Sequence, residues 1–453
     1  GCRLGLGCGV GAVQMRFLSR CGGFLYLWLP VTIRLPPCPN HLPVTAGTRL
    51  TPLDVALYVG WIAAAIWALA GSPEVGLGAL APESGALGTL AVGRVLPLLV
   101  VVPLLGLRDK TIFLAARSEV YLVMCVAFLF GGVDMIVALK LVMVAIWWGA
   151  ALSKCNSHFP FVVSGMMSNS PFWRFGGMRK KLHRDFPDDL RPSKLASGLA
   201  HGGTVVEFAA PAVLLFSNGG WLTTTSAAVM ILFHLTIISS FPMGVPLEWN
   251  VFMIWGVLTL FLAHPGIDLA ALSNPWLIAT LVAVILFLVI YGNFAPDKVS
   301  FLPSMRYYAG NWATSFWCFK GDALERYDDN VTKASLMPHQ QLEQVYGSEQ
   351  EASIPLFMGY SFRCFYTHGR ALLTLVPRAC EGDDEDYLVL DGELVAGTSL
   401  GWHFGDGHLH DEQLIEAHQR RRNFQPGDVR IVFMESQPLP DPTPRHPPIP
   451  AAP

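Results

Sequence analysis

Apolar runs long enough, or nearly long enough, to cross a bilayer recur through the first two thirds of the chain. They fall near residues 54–71, 89–107, 119–139, 141–153, 200–217, 221–241, 248–264 and 276–292. A spanning helix needs about 17–25 such residues, so the pattern predicts about eight spans. A soluble fold would have to hide this surface, and the composition offers little to hide it with: 52% of residues are hydrophobic and 14% charged, with a mean hydropathy of +0.42. The expected fold is an all-α polytopic membrane helix bundle followed by a small α+β soluble domain. The bilayer is thus the first partner the sequence names.

Arg94, Pro97 and Pro103 interrupt the second run, and the fourth is short. After Tyr291 the character changes, with dispersed charge and no further spanning run. Residues 387–394 and 429–434 read as strands, 411–422 as a helix and 425–428 as a turn. The expected organisation is an N-terminal segment over 1–53, a helix bundle over 54–293, a soluble domain over 294–437 and a Pro-rich disordered tail over 438–453. The start, Gly1 with an apolar stretch broken by Arg3, Arg16 and Arg20, reads as a fragment start rather than a signal peptide.

Lys and Arg collect in cytoplasmic loops. Arg108, Lys110 and Arg117 lie in one connection, and Arg174, Arg179, Lys180, Lys181, Arg184, Arg191 and Lys194 in another. Alternating spans put both on one side and the acidic 72–88 connection, with Glu74 and Glu83, on the other. Both ends are then cytoplasmic, in a plasma (inner) membrane. The second basic run suits topological marking and contact with anionic headgroups equally. A formal net charge of −3 offers no field for nucleic acid. Nine scattered cysteines without a CxxC pair suggest neither a disulfide framework nor a thiolate zinc site.

Ionisable groups inside a span cost about 2.5–3.5 kcal/mol each on insertion scales, so each needs a reason to be there. Lys154 ends an apolar run, with His158 four residues on. Desolvated, such a lysine can serve as a general base; at a cytoplasmic helix end it also satisfies snorkelling and the helix dipole. His201, Thr204 and Glu207 fall within about a third of a helix circumference. They read as a bundle-facing site or as packing hydrogen bonds, with Gly198, Gly202 and Gly203 allowing close helix approach. His234 sits centrally in its span, where packing and proton transfer are both open. Asp134 and Lys140 read as the two ends of a helical hairpin at the outer surface, and Glu248 as a first-turn carboxylate. In the soluble part, Asp406, His408 and His410 suit a metal if the segment is extended, or a turn and a helix cap if it is not.

Several segments resemble a known family: Thr32-Ile-Arg-Leu-Pro-Pro37, Asp134-Met-Ile-Val-Ala-Leu-Lys140, Asp185-Phe-Pro-Asp-Asp-Leu-Arg-Pro-Ser-Lys194, Ser300-Phe-Leu-Pro-Ser-Met-Arg306 with Ala309-Gly-Asn-Trp312, and Phe404-Gly-Asp-Gly-His-Leu-His-Asp-Glu-Gln-Leu414. The chain resembles an uncharacterised family of multi-spanning membrane proteins represented in mycobacteria and other actinobacteria, which implies no activity. A second set, Trp148-Gly-Ala-Ala-Leu-Ser-Lys154, then Val206-Glu207 leading to Pro211, then Phe233-His234, is similar in order and spacing to the membrane domain of vitamin K-dependent gamma-carboxylase and its bacterial relatives. That resemblance implies Lys154 as the base that deprotonates a hydroquinone, with a quinone or other lipid-soluble small molecule as substrate. It does not extend to glutamate carboxylation, because nothing in the soluble part resembles the propeptide-binding region. The competing expectation is a non-catalytic lipid-binding, transport or scaffold protein.

Overall fold

The computed structural model describes residues 33–39, 41, 43–70, 92–115, 117–130, 132–155, 157, 159–170, 177–240, 247–295, 297–299, 314–328, 340, 343, 347–348, 350, 367–400, 407–422, 424–434 and 449–450. Helices α1 (Pro52–Leu69) and α2 (Val92–Arg108) pack on each other, and a short α3 (Thr111–Leu114) leads to α4 (Ser118–Ala127), α5 (Gly132–Ser153) and α6 (Phe159–Asn169). A hairpin of β1 (His183–Asp185) and β2 (Asp189–Pro192) precedes α7 (Lys194–Phe216). Next come α8 (Gly220–Ser240), α9 (Leu247–Gly256), its π-helical continuation Val257–Leu262, and α10 (Pro275–Phe294).

Local chemistry fixes several starts. Thr51 and Asp54 form a capping box with Pro52 in the first turn of α1, Ser193 Oγ accepts from Ala196 N (3.2 Å) to cap α7, and Asn274 Oδ1 accepts from Trp276 N (3.1 Å) to cap α10. Among the described residues, α1, α5, α7, α8 and α10 are long and apolar enough to cross a membrane, five helices where about eight were expected. Of their apolar windows, 72% is buried in α5 but only 17% in α1 and in α10. Helix α5 is therefore the bundle's axis, and the others turn apolar side chains such as Ile66, Leu232, Leu286 and Phe287 outward. Exposed Trp221 and Trp276 open α8 and α10, where aromatic rings suit a membrane interface.

The shortfall has identifiable causes. The third and fourth runs do not divide near Lys140. The chain breaks before Gly132, which has φ +62°, and then continues unbroken through Lys140 to Ser153, leaving α4 ten residues long. Helix α2 carries Pro97 and Pro103 within seventeen residues, and α9 with its π-helical stretch is too short to count. Helix α6 was not foreseen.

Beyond α10, strands β3 (Thr314–Lys320), β4 (Tyr387–Asp391), β5 (Val429–Met434) and β6 (Ile449–Pro450) pair antiparallel in the order β4-β3-β5-β6. Helices α11 (Ala323–Asp328), α12 (Thr367–Ala379), α13 (Gly392–Leu400) and α14 (Glu412–Arg422) cover the sheet. Alternation along β3 feeds two cores. Phe316 and Cys318 meet Leu372, Val376 and Cys380, while Trp317 and Phe319 meet Tyr327, Leu390, Val395, Leu414 and Ile415. The strand expected over 387–394 ends at Asp391, where α13 begins. Apart from Ile449 and Pro450, the Pro-rich end lies outside the described residues.

The second core also contains Ile33, Leu35, Leu114 and Ala115. Beside them, Arg34 donates to the carbonyls of Thr45 (2.9 Å), Ala46 (2.6 Å), Arg49 (3.0 Å) and Arg108 (2.7 Å). Asp54 takes a bidentate pair from Arg108 at 2.6 and 2.9 Å and lies 3.4 Å from Arg34 Nε. Asp109 accepts from Leu35 N and Thr111 N. Burial pushes the Asp109 carboxyl above its ordinary range and Arg34 below its own. Lys110 to Asp411 (3.3 Å), Gln413 Nε2 to Pro36 O (2.8 Å) and Arg421 to Thr48 complete the junction between helices and sheet.

Candidate functional site

Lys154 follows the last turn of α5, and Glu207 lies midway along α7. The α5–α7 packing brings Nζ of Lys154 to 2.5 Å from Oε2 of Glu207, with the two residues 4% and 3% exposed. The aromatic rings of Phe159 and Phe233 each lie 5.6 Å from that ammonium nitrogen. A buried lysine and carboxylate at this distance offset each other's desolvation, which neither could bear alone.

His234 lies on α8 beside Phe233 and has both ring nitrogens engaged. Trp147 Nε1 stands 2.9 Å from its Nε2, and Asn250 Oδ1 2.6 Å from its Nδ1. An indole N–H only donates, so Nε2 must accept and the proton resides on Nδ1, donated to Asn250. That is one tautomer of a neutral imidazole, locked by groups from α5 and α9. The adjacent Trp148 donates to Phe208 O (3.1 Å), so consecutive tryptophans tie α5 to α8 and to α7.

His201 does not join this cluster. It is exposed, because it lies about 120° around α7 from Glu207, while the buried stripe runs through Ala200, Thr204, Glu207 and Pro211. Thr204 spends its hydroxyl on Ala200 O (3.1 Å). Of the three glycines only Gly203 meets a neighbouring helix: a Cβ there would lie 3.8 Å from the Phe233 ring of α8, while one at Gly198 or Gly202 would meet nothing within 4 Å, and the tighter approaches are Gly256 against Met143 and Gly106 against Phe113.

Asp134 and Lys140 share one helix instead of ending a hairpin. Asp134 accepts from Ser273 N and Oγ, each at 2.7 Å, and Lys140 donates to His264 O (2.8 Å) and Ile267 O (2.6 Å). Both charges serve the loop between α9 and α10. His158 and the side chain of Glu248 lie outside the described residues.

In the C-terminal sheet region, Gly407–Leu409 is a 3-10 turn rather than an extended segment, so alternation does not align His408 with His410. His410 Nδ1 lies 2.5 Å from Ser315 Oγ, and His408 packs its ring 5.9 Å from Phe433. Asp411 Oδ1 accepts from Gln413 N (3.1 Å) at the start of α14. Asp406 lies outside the described residues, and among those described no group of three or more His, Cys, Asp or Glu side chains is placed to hold a metal.

Asn250 and Trp147 are the residues that sequence reading missed. The only available signal was polarity in an apolar run, which Asn250 has and Trp147 lacks. The protein is a membrane protein by its apolar helices. No curated protein and no solved structure matches the chain. A family model does match, over residues 3–452, and the chain belongs to that family, described as transmembrane protein of unknown function (DUF3556).

Proposed function

We propose that the chain is a membrane-embedded enzyme in which Lys154 takes the proton from a hydroxyl of a lipid-soluble substrate of the hydroquinone class. The observation that carries this reading is the buried 2.5 Å contact between Lys154 and Glu207 beneath two phenyl rings. Once the pair has released one proton to bulk water at the cytoplasmic end of the site, the Nζ amine accepts the substrate's O–H proton, leaving an oxyanion and restoring the ammonium. The Glu207 carboxylate orients Nζ and stabilises the ammonium that forms. Phe159 and Phe233 exclude water, strengthening both effects. His234 acts through Trp147 and Asn250 as a positioning residue, since both of its nitrogens are occupied. The basic connections around Arg108 and Lys180 favour a cytoplasmic location for the lysine end of the site in a plasma (inner) membrane.

The saturated His234 and outward His201 favour a second reading, in which the ion pair is a packing device of a non-catalytic lipid-binding, transport or scaffold protein. One experiment separates the two. Replacing a buried pair by apolar residues of similar volume is often neutral for stability, so Lys154→Met with Glu207→Leu should fold. In a deletion strain, the enzyme reading expects this folded double variant to fail complementation. Full complementation would rule the enzyme reading out.

A further inference from the structure

We infer that the β1–β2 hairpin, with the 3-10 turn Lys180–Leu182 before it, is a docking platform for anionic phospholipid headgroups. Its position comes first. Helix α7 is a candidate span of 23 residues, about 34 Å long against a hydrocarbon thickness of about 30 Å. The hairpin is stapled to its first turn, which places it in the headgroup layer. Ser193, the α7 cap, donates its N–H to Leu182 O (2.9 Å) and its hydroxyl to Lys181 O (2.6 Å). Leu182 is fully buried, and His183 Nδ1 lies 3.0 Å from Leu190 O across the hairpin. The platform is therefore held rigidly to the span.

Charge and apolar surface then point one way. Over 179–194 there are six cations, Arg179, Lys180, Lys181, Arg184, Arg191 and Lys194, against three carboxylates, Asp185, Asp188 and Asp189. The local excess is positive although the whole chain carries a formal −3. Asp189 is taken up by Arg191 through contacts of 2.6–3.0 Å, so this acid does not cancel the lysines. Lys180, Lys181, Arg184 and Lys194 are exposed. Beside them Phe186 and Leu190 are 47% and 49% exposed, with Lys180 Nζ 5.9 Å from the Phe186 ring centre. Topological marking needs only the cations. Large apolar side chains left bare among them are what a surface requires that seats rings at the acyl boundary while its cations meet phosphates.

The test uses the full chain in nanodiscs of brominated-chain phosphatidylcholine, with and without phosphatidylglycerol, and a Phe186→Trp variant read against the parent. The added tryptophan emission is expected to be quenched in the anionic discs and to recover at high salt. With Lys180→Gln, Lys181→Gln, Arg184→Gln and Lys194→Gln together, most of that quenching should be lost. Equal quenching in the two disc types, or quenching indifferent to the four substitutions, overturns the inference.

Discussion

Replacing Asp54 with Asn tests whether the junction at the start of α1 depends on charge. Asp54 is 2% exposed and holds Arg108 in a bidentate pair with Arg34 close by. Asn keeps the volume and removes the charge that offsets both guanidinium groups. Removing one partner of a buried ion pair costs about 3–5 kcal/mol. For a cooperative unit of 150–250 residues each kcal/mol moves Tm by about 2–4 °C, so the midpoint should fall by roughly 6–20 °C. The assay is thermal denaturation of the detergent-solubilised chain, its exposed Cys155 first blocked with iodoacetamide, followed with a thiol-reactive fluorogenic dye that reports exposure of the buried Cys318 and Cys380. Adding Arg108→Met to Asp54→Asn should return part of the loss, with a coupling energy of about 1 kcal/mol or more. A shift of the single variant below about 2 °C, or strict additivity in the cycle, would refute the reasoning.

Further outcomes follow from other sites. Lys154→Met alone should destabilise by about 3–5 kcal/mol and the Lys154→Met, Glu207→Leu pair by far less; equal losses in thermal melts would show that the contact is not a coupled pair. Lys140→Met strands two carbonyl acceptors, so hydrogen exchange across the α9–α10 loop should quicken, corresponding to about 1–3 kcal/mol of lost local stability. Burial pushes the Cys318 and Cys380 thiols up, so mass spectrometry after iodoacetamide treatment of the folded chain should find Cys155, which is exposed, modified well before either. Hydrogen bonds from Arg191 hold the Asp189 carboxyl down at about 2. Its contribution to the hairpin is therefore complete above the ordinary value of 3.8 and is lost as pH falls through about 2, a titration that carboxyl NMR shifts can follow.

The parts of this architecture legible in sequence were those written in local chemistry. β5 and α14 fall where periodicity put them, and Lys154 and Glu207 stand out because charge in an apolar run is costly. What was hidden depends on partners distant in sequence. Hydropathy cannot distinguish a break at Gly132 from one at Lys140, because Lys140 is paid for by carbonyls of His264 and Ile267, more than a hundred residues away. His234 looked available until Trp147, 87 positions earlier, took its Nε2. His201 shared a stripe with Glu207 on paper, but a third of a turn decides which side chains face inward.

Ile33, Leu35, Leu114 and Ala115 pack with Trp317 and Leu414 in one apolar cluster, although they come from opposite ends of the chain. Excising the C-terminal half as a recombinant piece would therefore expose a greasy scar where those four side chains had been. Cutting away the first fifty residues would unseat Arg421 and Gln413 from Thr48 and Pro36 in the same stroke. Surgery on this molecule has no clean plane between its helix bundle and its sheet.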